Sequence, residues 1–367
     1  MMKTRLLTLF SGVLIAGSAL IASAVQGPAD TSAKLNAEAI KAYQAKDYVR
    51  FLALERRALE LAPTNPRVIY NVACGEALQS NASEAVRLLD QLLARKLDLG
   101  AETDDDFAGI HTTKEWTGFQ SRLAGLRKPI IRSEAAFTLA EPGLLATGIA
   151  IDPRTGDSFV ASVRQRKIVR RTKQGAVSDF IRSGQDGFLA GAWLAIDPSG
   201  GLLFASCAAV PFMSGYRKED AGQSGLFVWD LKSGRLVRKA MLAADGKRHF
   251  LNALVVDRDG NAYVSDSGAS GIYRLRQGAD RFEIFVPDNV FRSTQGLAFS
   301  DDEKTLYVAD YTDGVWAVNM ATRECRRLQE PSDAWLVGLD GLTRVPDGFI
   351  TVQIGVRPQR VLRLRLD

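Results

Sequence analysis

Over the last two-thirds of the chain, apolar positions come in short alternating runs broken by polar turns. Residues 252–266, NALVVDRDGNAYVSD, show the pattern best: an apolar strand, a turn, then a strand with β-branched and aromatic residues. Glycine takes positive φ without steric cost, so Asp259-Gly260 predicts a tight hairpin there. The phrase returns at 295–300 with 305–310. Third strands follow at 271–275 and 314–318, and fourth strands at 282–285 and 324–328. Three further copies begin at 147–153, 192–198 and 340–345. Equivalent positions 152, 197, 257, 300 and 345 lie 45, 60, 43 and 45 residues apart. Four strands at such a period describe propeller blades, and five are counted between 134 and 367. The long step holds an insertion at 210–223, read as a loop between strands.

The first third has a different rhythm. Tyr48, Phe51, Leu52, Ala58, Leu59 and Ala62 recur at three- and four-residue steps, which places them on one helix face. Pro63 ends that helix, and Pro66 opens the next. Ala39 with Ala73, Phe51 with Ala85 and Ala58 with Leu92 repeat at 34 residues, a period that resembles tetratricopeptide repeats. Residues 25–130 thus read as a small helical domain, either a cap on the propeller or a groove for a protein partner. Within it, Asn81-Ala82-Ser83 matches a glycosylation acceptor by pattern alone.

The first 24 residues combine Lys3 and Arg5, an apolar run and Ala22-Ser23-Ala24, which predicts a cleaved secretory signal and a periplasmic or secreted product with no membrane anchor. The formal charge of +5 falls to +3 without Lys3 and Arg5, and basic residues alternate with others as on solvated strands. Nucleic acid is not an expected partner. Cys74, Cys207 and Cys325 have neither the spacing of a zinc site nor an even count. No GxSxG, HExxH, phosphate loop or strand-linked GxGxxG is present, so hydride and phosphoryl transfer have no support.

Thr147, Ala192, Asn252, Gln295 and Asp340 immediately precede the innermost strands. In a propeller, such positions converge on a ring around the axis. Their oxygens would suit calcium, or would merely satisfy backbone groups at the channel mouth.

NALVVDRDGNAYVSD, QGLAFSDDEKTLYVADY and DGLTRVPDG resemble the senescence-marker-protein/gluconolactonase/LRE propellers, the regucalcin-like family, over residues 134–367. That resemblance implies a divalent metal on the axis, held by Glu, Asn, Asn and Asp. Asn252 and Asp340 keep the pattern, Gln295 replaces Asn, and Thr147 replaces Glu, where it faces substrate. The function implied is metal-assisted hydrolysis of a sugar lactone or related ester. Asp340 would be ligand and base, Asn252 and Gln295 ligands, and His249 a proton-transfer group. The alternative is a non-catalytic module that binds a protein or carbohydrate. The family has six blades. Either residues 134–140 pair beside 361–366 as an outer strand and close a five-bladed ring, or the ring lacks its sixth blade.

Overall fold

The computed structural model describes residues 28–366; residues 1–24, read above as a secretory signal, lie outside the described residues. Five α-helices come first: α1 (Pro28–Gln44), α2 (Tyr48–Leu61), α3 (Pro66–Leu78), α4 (Ala82–Ala94) and α5 (Lys114–Leu126). Their starts follow from local chemistry. Asp47 accepts a hydrogen bond from the Arg50 N–H, Asn65 from the Arg67 N–H, and Thr113 from the Trp116 N–H, each satisfying a donor that the helix cannot. Asn81 caps α4 in the same way and also donates to Glu76, so the glycosylation-like asparagine has a structural task.

The strands form five antiparallel sheets. Blade 1 holds β1 (Ala146–Ile151), β2 (Ser158–Ser162), β3 (Lys167–Arg171) and β4 (Val177–Ile181). Blade 2 holds β5 (Ala190–Ile196), β6 (Leu202–Ala208), β7 (Ser224–Asp230) and β8 (Leu236–Met241). Blade 3 holds β9 (Leu251–Val256), β10 (Ala262–Asp266), β11 (Ile272–Leu275) and β12 (Glu283–Val286). Blade 4 holds β13 (Thr294–Phe299), β14 (Thr305–Asp310), β15 (Gly314–Asn319) and β16 (Cys325–Arg327). Blade 5 has three strands, β17 (Leu339–Val345), β18 (Gly348–Gln353) and β19 (Arg360–Arg365). The expected β9–β10 hairpin is present, with Gly260 at φ +79°. The 210–223 insertion joins β6 to β7 as a loop.

The repeated Asp at the end of each second strand in blades 3 and 4 explains much of the phrase. Asp266 and Asp310 are fully buried. Asp266 accepts from the N–H groups of Phe250, Gly268 and Ala269, and Asp310 from those of Arg292, Ser293, Thr312 and Asp313. Each carboxylate thus ties its own turn to the segment leading into the inner strand. Buried acceptors with several N–H donors are satisfied and rigid.

The ring is open. Buried apolar clusters join blade 1 to 2, 2 to 3, 3 to 4 and 4 to 5. Among the described residues no such cluster joins blade 5 to blade 1. Residues 134–140 form no strand, contrary to the ring-closing expectation. The chain there instead covers blade 1: Phe137 lies under the Arg171 guanidinium, and Leu139 packs with Leu144, Val160 and Val169. Apolar side chains are left exposed on both flanks of the gap, Ile149 and Ile151 on blade 1 and Val352 and Val361 on blade 5.

The helices sit on the other side of blade 5. Trp335, just before β17, is 2% exposed and joins the helical core with Val356. The Arg95 guanidinium stacks 3.4 Å over the Trp335 ring and bonds Glu330 and the carbonyls of Pro331 and Ala334. The Asp98 N–H donates to the Arg357 carbonyl at 2.9 Å.

Candidate functional site

The five rim positions do not form a cage of oxygens. The Asn252 side-chain amide donates to Gln295 Oε1 at 2.6 Å, and Gln295 Nε2 donates to Ser293 Oγ at 3.3 Å. Thr147 is exposed, and its hydroxyl donates to the Gly191 carbonyl. Asp340 is half-buried and has no hydrogen-bond or ion-pair partner among the described residues; burial pushes its carboxyl pKa up. The Trp193 ring, from β5, reaches across the hub to blade 5. Its Cη2 lies 3.2 Å from where a Cβ on Gly341 would sit, and it packs on the clusters that hold Ala253 and Leu254. With Gln295 Oε1 committed, one carboxylate present and an indole in the hub, the donor set does not fit a tightly held dication.

His249 belongs to a separate arrangement. It is 7% exposed, with Nδ1 2.5 Å from Asp266 Oδ2 and Nε2 2.9 Å from Asp245 Oδ1. Burial disfavours the imidazolium, yet the two carboxylates outweigh it and raise the His249 pKa. With both nitrogens held, the ring pins the segment before β9 onto blade 3. A raised folded-state pKa stabilises fully below the unfolded value of about 6.5 and is lost as pH rises through the folded value. His249→Gln is therefore expected to cost roughly 1.5–3 kcal/mol in acid and less at alkaline pH, read from urea unfolding at several pH values. An equal cost at all pH values would refute the charged clamp.

Sequence reasoning missed the cleft where the helices meet the propeller. It has a volume of about 920 Å³. Tyr43, Tyr70, Asp98 and Asp104 to Asp106 line it from the helical side, and Tyr311, Ile354, Arg357 and Gln359 from blades 4 and 5. The Tyr43 hydroxyl donates to Asp106 and the Tyr70 hydroxyl to Asp104, both at 2.7 Å. The bond to Asp106 raises the Tyr43 pKa, and burial with the bond to Asp104 raises that of Tyr70. Burial, with the charges of Asp104 and Asp105, raises the Asp106 carboxyl. Cys74 Sγ lies among these groups: one ligand atom each from Cys74, Asp104 and Asp106 falls within 4.8 Å of the others, close enough to hold a metal ion. Burial and the nearby carboxylates keep that thiol protonated.

The cleft adjoins the rim. The Tyr311 N–H donates to the Ser293 carbonyl, Ser293 Oγ accepts from Gln295, and the Gly338 N–H donates to the Tyr311 carbonyl. Tyr311 thus stands between the cleft and the inner-strand ends that carry Gln295 and Asp340. The paired tyrosines and aspartates could have been suspected from the acidic run at 102–106, but nothing local to the sequence joins them to Tyr311.

No protein-family profile and no curated protein matches the chain. Solved structures similar to it include three chains. One comes from a nidogen/laminin complex, 16% identical, covering 58% of this chain and 73% of that one, with a TM-score of 0.45. Another is a gluconolactonase from Xanthomonas campestris, 16% identical, covering 56% and 71%, with a TM-score of 0.40. A third is the calcium-binding protein regucalcin from Agrobacterium tumefaciens, 18% identical, covering 59% and 69%, with a TM-score of 0.45. At these values the propeller assignment itself rests on the chain's own sheets.

Proposed function

We propose that this chain is an exported binding protein whose ligand lies in the cleft between helices and propeller. The observation that carries this reading is the cleft itself. Ligand sites favour concave interfaces between domains, with a few convergent polar groups. Here three tyrosines, four aspartates, Arg357 and Gln359 supply flat faces, acceptors and donors. That chemistry suits a carbohydrate or a polar peptide segment, whose hydroxyls or amides need both donors and acceptors. The charged start, apolar run and Ala22-Ser23-Ala24 support export.

Titration calorimetry with soluble oligosaccharides and short peptides tests the reading. Tyr311→Ala is expected to weaken binding at least tenfold, about 1.4 kcal/mol, while Asp340→Ala leaves it unchanged. Binding that survives Tyr311→Ala but is lost in Asp340→Ala would move the ligand to the rim.

Hydrolysis of a lactone or related ester is the second reading, and Asp340 favours it. A half-buried, unpartnered carboxyl with a raised pKa is suited to take a proton from water attacking a carbonyl. Activity on gluconolactone or a homologue that vanishes in Asp340→Asn would establish it. Calcium is expected to bind no tighter than about 10⁻³ M, because the rim brings one carboxylate, and Thr147→Glu should tighten it by adding a second. Tight calcium binding by the unaltered chain would overturn that expectation.

A further inference from the structure

Among the described residues, four blades have four strands and blade 5 has three, with β19 at its outer edge. β19 pairs with β18 without a break over six residues, Arg365 opposite Gly348 through Arg360 opposite Gln353. The Leu366 N–H donates to the Asp347 carbonyl at 3.1 Å. Hydrogen-bonded pairs alternate along an antiparallel ladder, so Leu364, Leu362 and Arg360 also point their backbone groups at β18. The N–H and C=O groups of Val361, Arg363 and Arg365 therefore point away from the sheet. Among the described residues no strand takes them up. The edge carries neither proline nor bulge, and its outward arginines deter a like-charged strand while leaving the straight edge open to an acidic one.

Its charge indicates what fits. Arg360, Arg363 and Arg365 are opposed by one carboxylate, Asp347, which bonds Arg363 at 2.7 Å and lies 3.6 Å from Arg365. Among the described residues Arg360 has no acidic partner: its Nε donates to Gln353 Oε1, and its Nη2 is buried without a partner. The exposed face alternates Val361, Arg363 and Arg365, about 6.6 Å apart from one to the next. An added strand places its own alternate side chains at the same interval. Val352 and Val361 are exposed alongside and give apolar side chains somewhere to pack. A second copy of β19 is disfavoured, because antiparallel self-pairing sets arginine against arginine across the ladder.

We infer that β19 accepts an extended, acidic segment of a partner polypeptide as the fourth strand of blade 5, by strand addition. The segment carries carboxylates at alternate positions, facing Arg363 and Arg365. This surface is separate from the cleft.

Fluorescence anisotropy on the full chain tests it, with a labelled eight-residue peptide alternating Glu and Val and a counterpart alternating Lys and Val. The Glu peptide is expected to bind, more weakly as salt rises, and the Lys peptide at least tenfold less well. Val361→Pro removes one outward donor and leaves the β18 ladder intact, so it should abolish binding. The double change Arg363→Glu with Arg365→Glu should reverse the preference between the peptides. Should Val361→Pro not fold, that reversal decides alone. Equal binding of both peptides, no binding of either, or full binding by Val361→Pro would overturn the inference. So would a dimer in sedimentation velocity that Val361→Pro dissociates, since the edge would then serve a second copy.

Discussion

Trp335→Ala is expected to cost about 3–5 kcal/mol and to split thermal unfolding into two transitions. The ring is fully buried, lies under the Arg95 guanidinium, and is the largest propeller side chain in the helical core. Its loss opens a cavity where the two units meet and exposes the apolar surface around Leu97 and Val356. Arg95 then keeps its bonds to Glu330, Pro331 and Ala334 without the stacked ring. Trp335→Phe should retain most of the stability, because the Trp335 indole N–H is buried without a partner and its removal costs no hydrogen bond. Calorimetric scans of both variants check this. A single transition in Trp335→Ala at the unaltered temperature would mean that the helices dock by other contacts.

Glu55→Gln is expected to stabilise the chain by roughly 3 kcal/mol at pH 8 and by only about 1 kcal/mol at pH 5. Glu55 lies on α2 with no exposed surface; Asn71 donates to its Oε1, and its Oε2 is buried without a partner. Burial pushes its carboxyl up to about 7, and the single bond from Asn71 only partly opposes the shift. The folded pKa lies above the unfolded one, so the group's stability is present below the unfolded value of about 4.3. It is lost as pH rises through about 7, where the folded chain must hold a buried charge. The glutamine variant carries no charge at either pH. Urea unfolding followed by far-UV circular dichroism at both pH values would show it, and an identical pH dependence in the two proteins would exclude Glu55 as its source.

The blades were legible because their information is local. Alternation in Leu254, Val256, Tyr263 and Ser265, and a glycine at 260, predict strands and turn from neighbouring residues alone. The helices were legible for the same reason, from the prolines at 63 and 66 and from apolar positions three and four apart. Segment 134–140 has a strand's alternation in Phe137 and Leu139, but a ladder needs a partner, and these side chains cover blade 1 instead. The rim was legible as a set of positions and not as a site. Nothing in the order of residues shows that Asn252 donates to Gln295, or that Trp193, the neighbour of Ala192, spans the hub to Gly341. His249 lies three residues before Asn252 in the chain, yet both its nitrogens turn to Asp245 and Asp266. The cleft was least legible, since it joins residues near 100 to residues near 311 and 357.

That same distance sets a timetable for synthesis. Arg95 and Glu330, which meet at the docking seam, are 235 residues apart in the chain. At roughly 5–20 residues per second, a ribosome delivers the second of them roughly 10–50 s after the first. The helices are complete long before the chain supplies Trp335 and Val356 to their core, and Arg95 must wait for Glu330. The docking seam therefore forms only once blade 5 is in place, which makes it one of the last parts of the fold to be completed.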